Sequence, residues 1–140
     1  MFSVIFPGQG SQAVGMGKEF FEKYNLVKDL FKQADETLRI PLSKIILEGP
    51  KNELDLTINT QPAIFLISYS IFQVMKKEYH LDLNRAKYFA GHSLGEYSAL
   101  SSANYLTFEE TIKLLRIRGE AMQNAVPEGE GGMLAILGST

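Results

Sequence analysis

The chain has 140 residues, enough for one ordinary domain, and an apolar content of 45% that supplies a sizeable core. Its net charge of −2 gives no sign of binding to nucleic acid or to an anionic membrane. Because it contains no cysteine and only two histidines, disulfides, thiolate metal sites and histidine-rich metal sites are excluded. The first residues have no basic region and no apolar run approaches the ~20 residues of a membrane helix, so we expect a cytoplasmic protein.

The first residues predict a strand, and helices follow it. Phe2–Phe6 is apolar and indicates a buried strand that ends in the glycine-rich loop 7–12. Apolar residues then recur at helical spacing in three segments: 18–24, 27–38 and 42–47. Asn25 is the expected N-cap of the second segment, and the Gly-Pro pair at 49–50 ends the third.

A long buried helix and a second strand come next. Thr60 is the expected N-cap of a helix that runs to about Lys77 and is apolar on nearly all sides in its first half. Tyr88–Ala90 then predicts a second short strand. The alternation of helices with short buried strands favours an α/β fold with a parallel sheet.

The stretch from Gly91 to Glu96 is the most informative in the chain. It places Ser93 between glycines at 91 and 95, after a strand and before a helical segment of small residues. Strand, Gly-x-Ser-x-Gly and helix in that order are typical of a nucleophile elbow, a strained turn that exposes the serine hydroxyl. The N–H groups that begin the following helix favour a developing oxyanion. The alternative is a tight turn with a capping serine.

A nucleophilic serine needs a base, and the sequence offers no suitable histidine. His92 is adjacent to Ser93, so its side chain points away from the serine, and we expect it to shape the turn by packing or hydrogen bonding. His80 ends a helix in a polar stretch and is expected on the surface. The nucleophile is therefore present without an evident base.

A capping box at Thr107–Glu110 begins the last long helix, which contains two arginines of different character. Arg116 falls on the polar face and is expected to be solvated and paired with Glu120. Arg118 falls among apolar and small residues, where a guanidinium needs an anionic partner, either an internal carboxylate or the carboxylate of a substrate. Gly119 beside it indicates a close backbone approach.

Two glutamines are candidates for the same crevice. In doubly wound sheets ligands lie beyond the carboxyl ends of strands, so the loop around Gln9 and the turn at Ser93 are expected to face the same crevice. Small residues around Gln9 would let its backbone N–H approach a reacting carbonyl, although an ordinary glycine-rich turn has the same spacing. Gln61, at the expected start of the long buried helix, could reach the same crevice.

Four motifs carry a resemblance to a known family. In chain order they are Phe6–Gln12, Thr60–Ala63, Gly91–Tyr97, and Arg118–Gly119 followed by Met122. The segments 125–127 and 132–133 also fit it. Together they resemble the malonyl-CoA:acyl carrier protein transacylase family over the whole chain. The resemblance implies a hydrolase-like α/β core with a nucleophile elbow and an inserted small ferredoxin-like subdomain. Family members are longer, so it implies the N-terminal part of such an enzyme. Residues 1–126 would belong to the truncated core, and 127–140 would be a linker and the first strand of the subdomain.

The resemblance also implies a reaction and the residues that serve it. Ser93 takes a malonyl group from coenzyme A and passes it to the phosphopantetheine thiol of acyl carrier protein, in fatty acid biosynthesis. The other implied roles are an oxyanion hole from the backbone amides of Gln9 and Leu94, binding of the malonyl carboxylate by Arg118, and lining of the pocket by Gln61 and His92. No metal and no cofactor are implied, and malonyl-CoA is a substrate.

Two alternatives remain open: a serine esterase or thioesterase, which shares the elbow, and a non-catalytic assembly module. Arg118 discriminates, because hydrolysis needs no buried cation. The base histidine of the family has no counterpart in these 140 residues, so we expect little turnover from this chain alone. The apolar strand expected over Met133–Leu137 has no successor in the sequence, and we expect self-association through it.

Overall fold

In the computed structural model, which describes residues 2–126, 130, 131 and 138, two parallel strands lie beside seven α-helices. The strands are β1 (Phe2–Phe6) and β2 (Ala86–Gly91), and a short 3₁₀ turn at Leu83–Arg85 precedes the second. The helices are α1 (Lys18–Lys23), α2 (Asn25–Leu38), α3 (Leu42–Glu48), α4 (Lys51–Asp55), α5 (Thr57–Lys77), α6 (Leu94–Ser102) and α7 (Phe108–Ala125).

The strands pair in parallel, as the alternation of strands and helices predicts. Val4 lies opposite Phe89 and Phe6 lies opposite Gly91, so both strands end at the same edge of the sheet. One face of the sheet packs into a small core cluster, whose members are Val4, Phe6, Phe72, Leu83, Phe89 and Ala99. The expectation of a buried first strand is wrong, because Ile5 points to the other face and is 77% exposed in the described part of the chain.

Helix α5 lies at the centre of the main core. Every residue from 59 to 66 is buried, as its nearly continuous apolar surface predicts. The other helices contribute buried side chains around it: Val27, Phe31, Leu42, Ile46, Leu54, Leu94, Ile112 and Leu115. Full burial of a large apolar side chain stabilises the fold by about 1.5–3 kcal/mol relative to exposure, so this cluster holds the helices together.

Three details of the helix boundaries differ from the sequence prediction. Asn25 is the first residue of α2, since Tyr24 already occupies the cap position in an extended conformation. Helix α5 begins at Thr57, so Thr60 lies inside it and donates its hydroxyl proton to the Leu54 carbonyl at 2.5 Å. Helix α4 was not predicted, because its five residues are too few to show a helical period.

Helix α7 begins as predicted, at a complete capping box. The backbone N–H of Glu110 donates to the Thr107 hydroxyl at 3.2 Å, and the Glu110 carboxylate accepts the Thr107 N–H at 2.9 Å. Hydrogen bonds from the Thr107 side chain and backbone hold the pKa of Glu110 below its ordinary value. The helical spacing predicts one apolar face from Phe108 to Val126. The structure buries it at Phe108, Ile112, Leu115 and Gly119, whereas Met122 and Val126 are exposed.

Several expectations concern residues outside the described ones. The strand expected over Met133–Leu137 lies there, so that strand, the division of the chain at residue 126 and the self-association stay predictions. Within the described residues, no helix combines the length and the apolar character that crossing a membrane requires.

Replacing Thr107 with alanine should lower the free energy of unfolding by about 1 kcal/mol, because an N–H at the start of α7 loses its acceptor. Urea denaturation of the full-length protein, followed by helical circular dichroism, measures the change. Thr37→Ala is the control, since Thr37 lies inside α2 and caps nothing. Equal stability of the Thr107 and Thr37 variants would contradict the capping role.

The contribution of the Glu110 carboxylate to the free energy of unfolding should depend on pH. It should be present above the unfolded pKa of Glu110 and vanish as pH falls through its lower folded pKa.

Candidate active site

Ser93 forms the turn between β2 and α6. Its backbone torsions are φ 55° and ψ −114°, a conformation that non-glycine residues rarely adopt. Such torsions cost of order 1–3 kcal/mol and persist where the surrounding structure enforces them. The side chain is exposed. The predicted strand-to-helix turn with an accessible serine is therefore confirmed.

Two glycines allow the backbone to close around this turn. A Cβ atom on Gly91 would collide with the carbonyl of Gly95, and one on Gly95 would lie 2.5 Å from the carbonyl oxygen of Phe6. The backbone N–H of His92 also donates to the Phe6 carbonyl, at 3.2 Å. The end of β1 and the serine turn are thus held in direct contact, and no larger residue fits at either glycine.

The loop after β1 lies against the serine turn, as its place at the strand end predicts. A Cβ atom on Gly8 would lie 2.5 Å from Nδ1 of His92. The Gln9 side chain donates to the Thr57 hydroxyl at 3.2 Å, which ties the loop to the start of α5. Within residues 2–126, neither the Gln9 nor the Leu94 backbone N–H donates to another backbone group, and Gln9 is exposed whereas Leu94 is fully buried.

Arg118 reaches across from α7 to the serine. Its Nη2 donates to Oγ of Ser93 at 3.0 Å, and its Nη1 donates to Oε1 of Gln61 at 2.6 Å. The guanidinium carbon also lies 5.8 Å from the centre of the Tyr97 ring, within range of a cation–π interaction. Gln61 is fully buried, and its Nε2 contacts the Met122 sulfur at 3.1 Å. The structure therefore brings the predicted residues Ser93, Gln61 and Arg118 together.

The partners of Arg118 are neutral. Among the described residues, no aspartate or glutamate forms an ion pair with it, and the ion pairs found there all involve lysines: Lys18–Glu22, Lys32–Glu36 and Lys51–Asp55. The alternative of an internal carboxylate is wrong for this part of the chain. A half-buried guanidinium without a counter-ion attracts an anion, and its planar fork fits a carboxylate.

The histidines lie where the sequence places them. The imidazole of His92 is exposed and packs beside Gly8, and among the described residues it forms no hydrogen bond with Ser93. His80 is exposed at the end of α5. In the described ranges, no histidine serves as a base for Ser93, and no group of histidine, aspartate and glutamate side chains is arranged to hold a metal ion.

Arg116 is not the solvated charge that its position on the polar face predicts. It is half-buried, and its Nη1 donates to the Ile58 carbonyl at 3.1 Å and to Oδ1 of Asn59. Burial lowers the pKa of Arg116, and the negative charge of Glu120 opposes this shift. The helical pattern of α7 could not show that Arg116 bonds to α5, because these bonds depend on how closely α5 packs against the polar face of α7.

Gly119 explains that closeness. A Cβ atom at this position would lie 2.7 Å from Cα of Ile58 and 2.8 Å from the Thr57 carbonyl oxygen. The predicted backbone approach is confirmed, and it involves the first turn of α5. Tyr97 was missed as a neighbour of Arg118, although its position one helical turn after Ser93 placed it on the same side of α6.

Comparison with known proteins identifies the family. Residues 3–138 match the family of the acyl transferase domain. The malonyl CoA-acyl carrier protein transacylase of Bacillus subtilis (strain 168) is 49% identical over 134 residues, which are 96% of this chain and 41% of that protein.

Solved structures agree with this match. An acyl-carrier-protein S-malonyltransferase from Bartonella henselae has a TM-score of 0.85 and 45% identity, covering 91% of this chain and 41% of that one. A malonyl-transacylase in complex with its type II polyketide synthase acyl-carrier protein has a TM-score of 0.83 and 39% identity, covering 91% of this chain and 40% of that one.

The chain spans 41% of the length of the Bacillus subtilis relative, and almost all of its own residues take part in the match. Sequence identity and backbone geometry lead to the same group of proteins, which confirms the resemblance that the four motifs carry. The chain belongs to the acyl transferase domain family.

Proposed function

We propose that this chain supplies the nucleophile and the carboxylate-binding residue of a malonyl-CoA:acyl carrier protein transacylase. The Ser93 oxygen attacks the thioester carbonyl of malonyl-CoA, the carbon–sulfur bond breaks, and coenzyme A leaves as the thiol. The phosphopantetheine thiol of acyl carrier protein then attacks the malonyl ester and regenerates the serine. The observation that carries this proposal is the 3.0 Å contact between Arg118 Nη2 and Ser93 Oγ.

Arg118 gives the site its preference for a dicarboxylic acyl group. In a malonyl ester of Ser93, one methylene separates the ester carbonyl from a free carboxylate. The guanidinium that now contacts Oγ lies within reach of that carboxylate, and Gln61 holds its other nitrogen in place. A charge-assisted, bidentate pair in a half-buried setting is strong, whereas an acetyl group offers Arg118 nothing to bind.

The backbone amides of Gln9 and Leu94 form the oxyanion hole in this proposal. Leu94 is the first residue of α6, so its N–H lies at the positive end of the helix, where a developing negative charge is stabilised. The Gln9 amide lies in the loop that packs beside His92. His92 and Gln61 line the pocket, and the long thiol arm of acyl carrier protein reaches the exposed hydroxyl of Ser93.

The proposal places residues 1–126 in the N-terminal part of a hydrolase-like core and residues 127–140 in a linker and the first strand of a ferredoxin-like subdomain. The general base is a histidine outside residues 1–140, as the family resemblance implies. The enzyme works in cytoplasmic fatty acid biosynthesis. The proposed reaction uses no resident cofactor, because acyl transfer from thioester to serine and on to a thiol needs a nucleophile, a base and an oxyanion hole, and changes no oxidation state.

A serine esterase or thioesterase is the second candidate function, since the exposed, strained Ser93 would serve it equally well. Arg118 pairs with no carboxylate among residues 2–126 and lies beside the nucleophile, which favours the transacylase, because hydrolysis has no need to bind a second carboxylate. A non-catalytic assembly module would need neither the strained turn at Ser93 nor a cation beside it.

Replacing Arg118 with alanine in the full-length protein should reduce its preference for malonyl-CoA over acetyl-CoA by about 2–4 kcal/mol, or about 30- to 1000-fold in the ratio of kcat/KM values. Malonyl transfer falls because the carboxylate loses its partner, while acetyl transfer stays or improves. Lys113→Ala, an exposed change on the same helix, should leave the ratio unchanged. An equal loss toward both substrates would show that Arg118 has a structural role only.

Incubating the full-length protein with malonyl-CoA, without acyl carrier protein, should add one malonyl group, which peptide mapping places on Ser93. The Ser93→Ala variant should stay unmodified, and Ser3→Ala, an exposed change on β1, should be modified normally. In a transacylase the acyl-enzyme persists until acyl carrier protein is added. Rapid loss of the malonyl group to water would instead favour the esterase, and modification at another residue would exclude Ser93 as the nucleophile.

A further inference from the structure

We propose that Arg116 is a positioning residue for the carboxylate site: its bond to the Ile58 carbonyl fixes the first turns of α5 against α7 and so aligns Gln61 with Arg118. Arg116 itself does not touch Ser93 or the acyl group. This inference rests on the proposed function, because its consequence is measured as selectivity for the malonyl group.

The need for such a residue comes from Pro62. It lies inside α5 and has no N–H to donate to the carbonyl four residues earlier, that of Ile58. The Arg116 Nη1 group lies 3.1 Å from this carbonyl oxygen and takes the place of the missing donor. A bond from a charged, half-buried donor is stronger than one between neutral groups. The side chain of α7 thereby completes the hydrogen bonding of α5.

Asn59 extends the same contact. The Arg116 Nη1 group also donates to Oδ1 of Asn59, which is buried with only 5% of its surface exposed. The Asn59 side-chain amide in turn donates to the Glu53 carbonyl at 2.8 Å. Arg116 is therefore joined to α5 directly and to α4 through Asn59, so its loss would remove one connection between α7 and these two helices.

The contact leads to the carboxylate site within one helical turn. Gln61 directly precedes Pro62, and its buried side chain accepts the Arg118 Nη1 bond at 2.6 Å. The two arginines thus hold α5 at successive points, Arg116 at the vacant carbonyl and Arg118 at Gln61. Gly119 keeps the two backbones in contact at Thr57 and Ile58, beside the Arg116 bond.

The consequence for selectivity follows from this geometry. A guanidinium that binds a carboxylate bidentately must be oriented as well as present, and a displacement of about 1 Å can cost up to 100-fold in rate. Loosening the start of α5 would move Gln61 and let Arg118 turn. The rate of malonyl transfer would fall, and the rate of acetyl transfer, which does not use Arg118, would fall less.

The test is a double-mutant cycle between Arg116 and Pro62 in the full-length protein. Arg116→Gln should lower the malonyl-to-acetyl ratio of kcat/KM by about 3- to 20-fold, which is less than the roughly 100-fold that a displacement of about 1 Å can cost. Arg116→Lys should lose less, because one donor can still reach Ile58. Pro62→Ala supplies the missing N–H, so in that background Arg116→Gln should change the ratio by less than about 2-fold. The difference between the effects of Arg116→Gln in the two backgrounds measures the coupling expected of neighbouring groups. Lys113→Gln is the matched control.

An unchanged ratio in Arg116→Gln, or an equal loss in both backgrounds, would overturn the positioning role. If Arg116→Gln does not fold, Arg116→Lys provides the same comparison, and its loss must likewise be smaller in the Pro62→Ala background. The Arg118→Ala variant, assayed in parallel, separates the two proposals. A change there without one in the Arg116 variants means that only the positioning role fails. No change in Arg118→Ala means that the proposed function of Arg118 fails, and this inference fails with it.

Discussion

The packing of α7 onto the first turns of α5 is the constraint on which the site depends. Gly119 allows the two backbones to touch, and the buried side chains of Phe65, Ile112 and Leu115 hold the helices together below that point. Because the helices meet this closely, Arg118 extends over the start of α6 and reaches the Ser93 hydroxyl at 3.0 Å. A wider spacing would leave the cation in solvent, where it would be hydrated and would bind a carboxylate only weakly.

The serine is held by a separate set of contacts. The Phe6 carbonyl lies against Gly95 and accepts the His92 N–H, so the positive φ of Ser93 is enforced by the end of β1. The oxyanion amides in our proposal come from this sheet edge, while the cation comes from the helical layer. The two parts meet at the Ser93 hydroxyl, where the attacking oxygen and the bound carboxylate must be placed relative to each other, and the Gln9 side chain joins them again at the Thr57 hydroxyl.

Much of this was predictable from local sequence. The serine turn and the α7 capping box follow from short motifs, and the need of Arg118 for a partner follows from its apolar neighbours on the helix. The exposure of Ile5 and the role of Arg116 were not predictable, because both depend on which elements pack together. Pro62 did contain a signal, since a proline within a helix leaves a carbonyl without its donor, but nothing local showed that Arg116 would supply one.

The central claim is that Arg118 binds the carboxylate of a malonyl group held on Ser93. A crystal structure of the malonylated full-length protein tests it most directly. The account predicts an ester at Ser93 Oγ, both Arg118 nitrogens turned toward the malonyl carboxylate or shared between it and Gln61, and the ester carbonyl oxygen against the amides of Gln9 and Leu94. A malonyl carboxylate that points to solvent or binds another cation, with Arg118 unmoved, would contradict it.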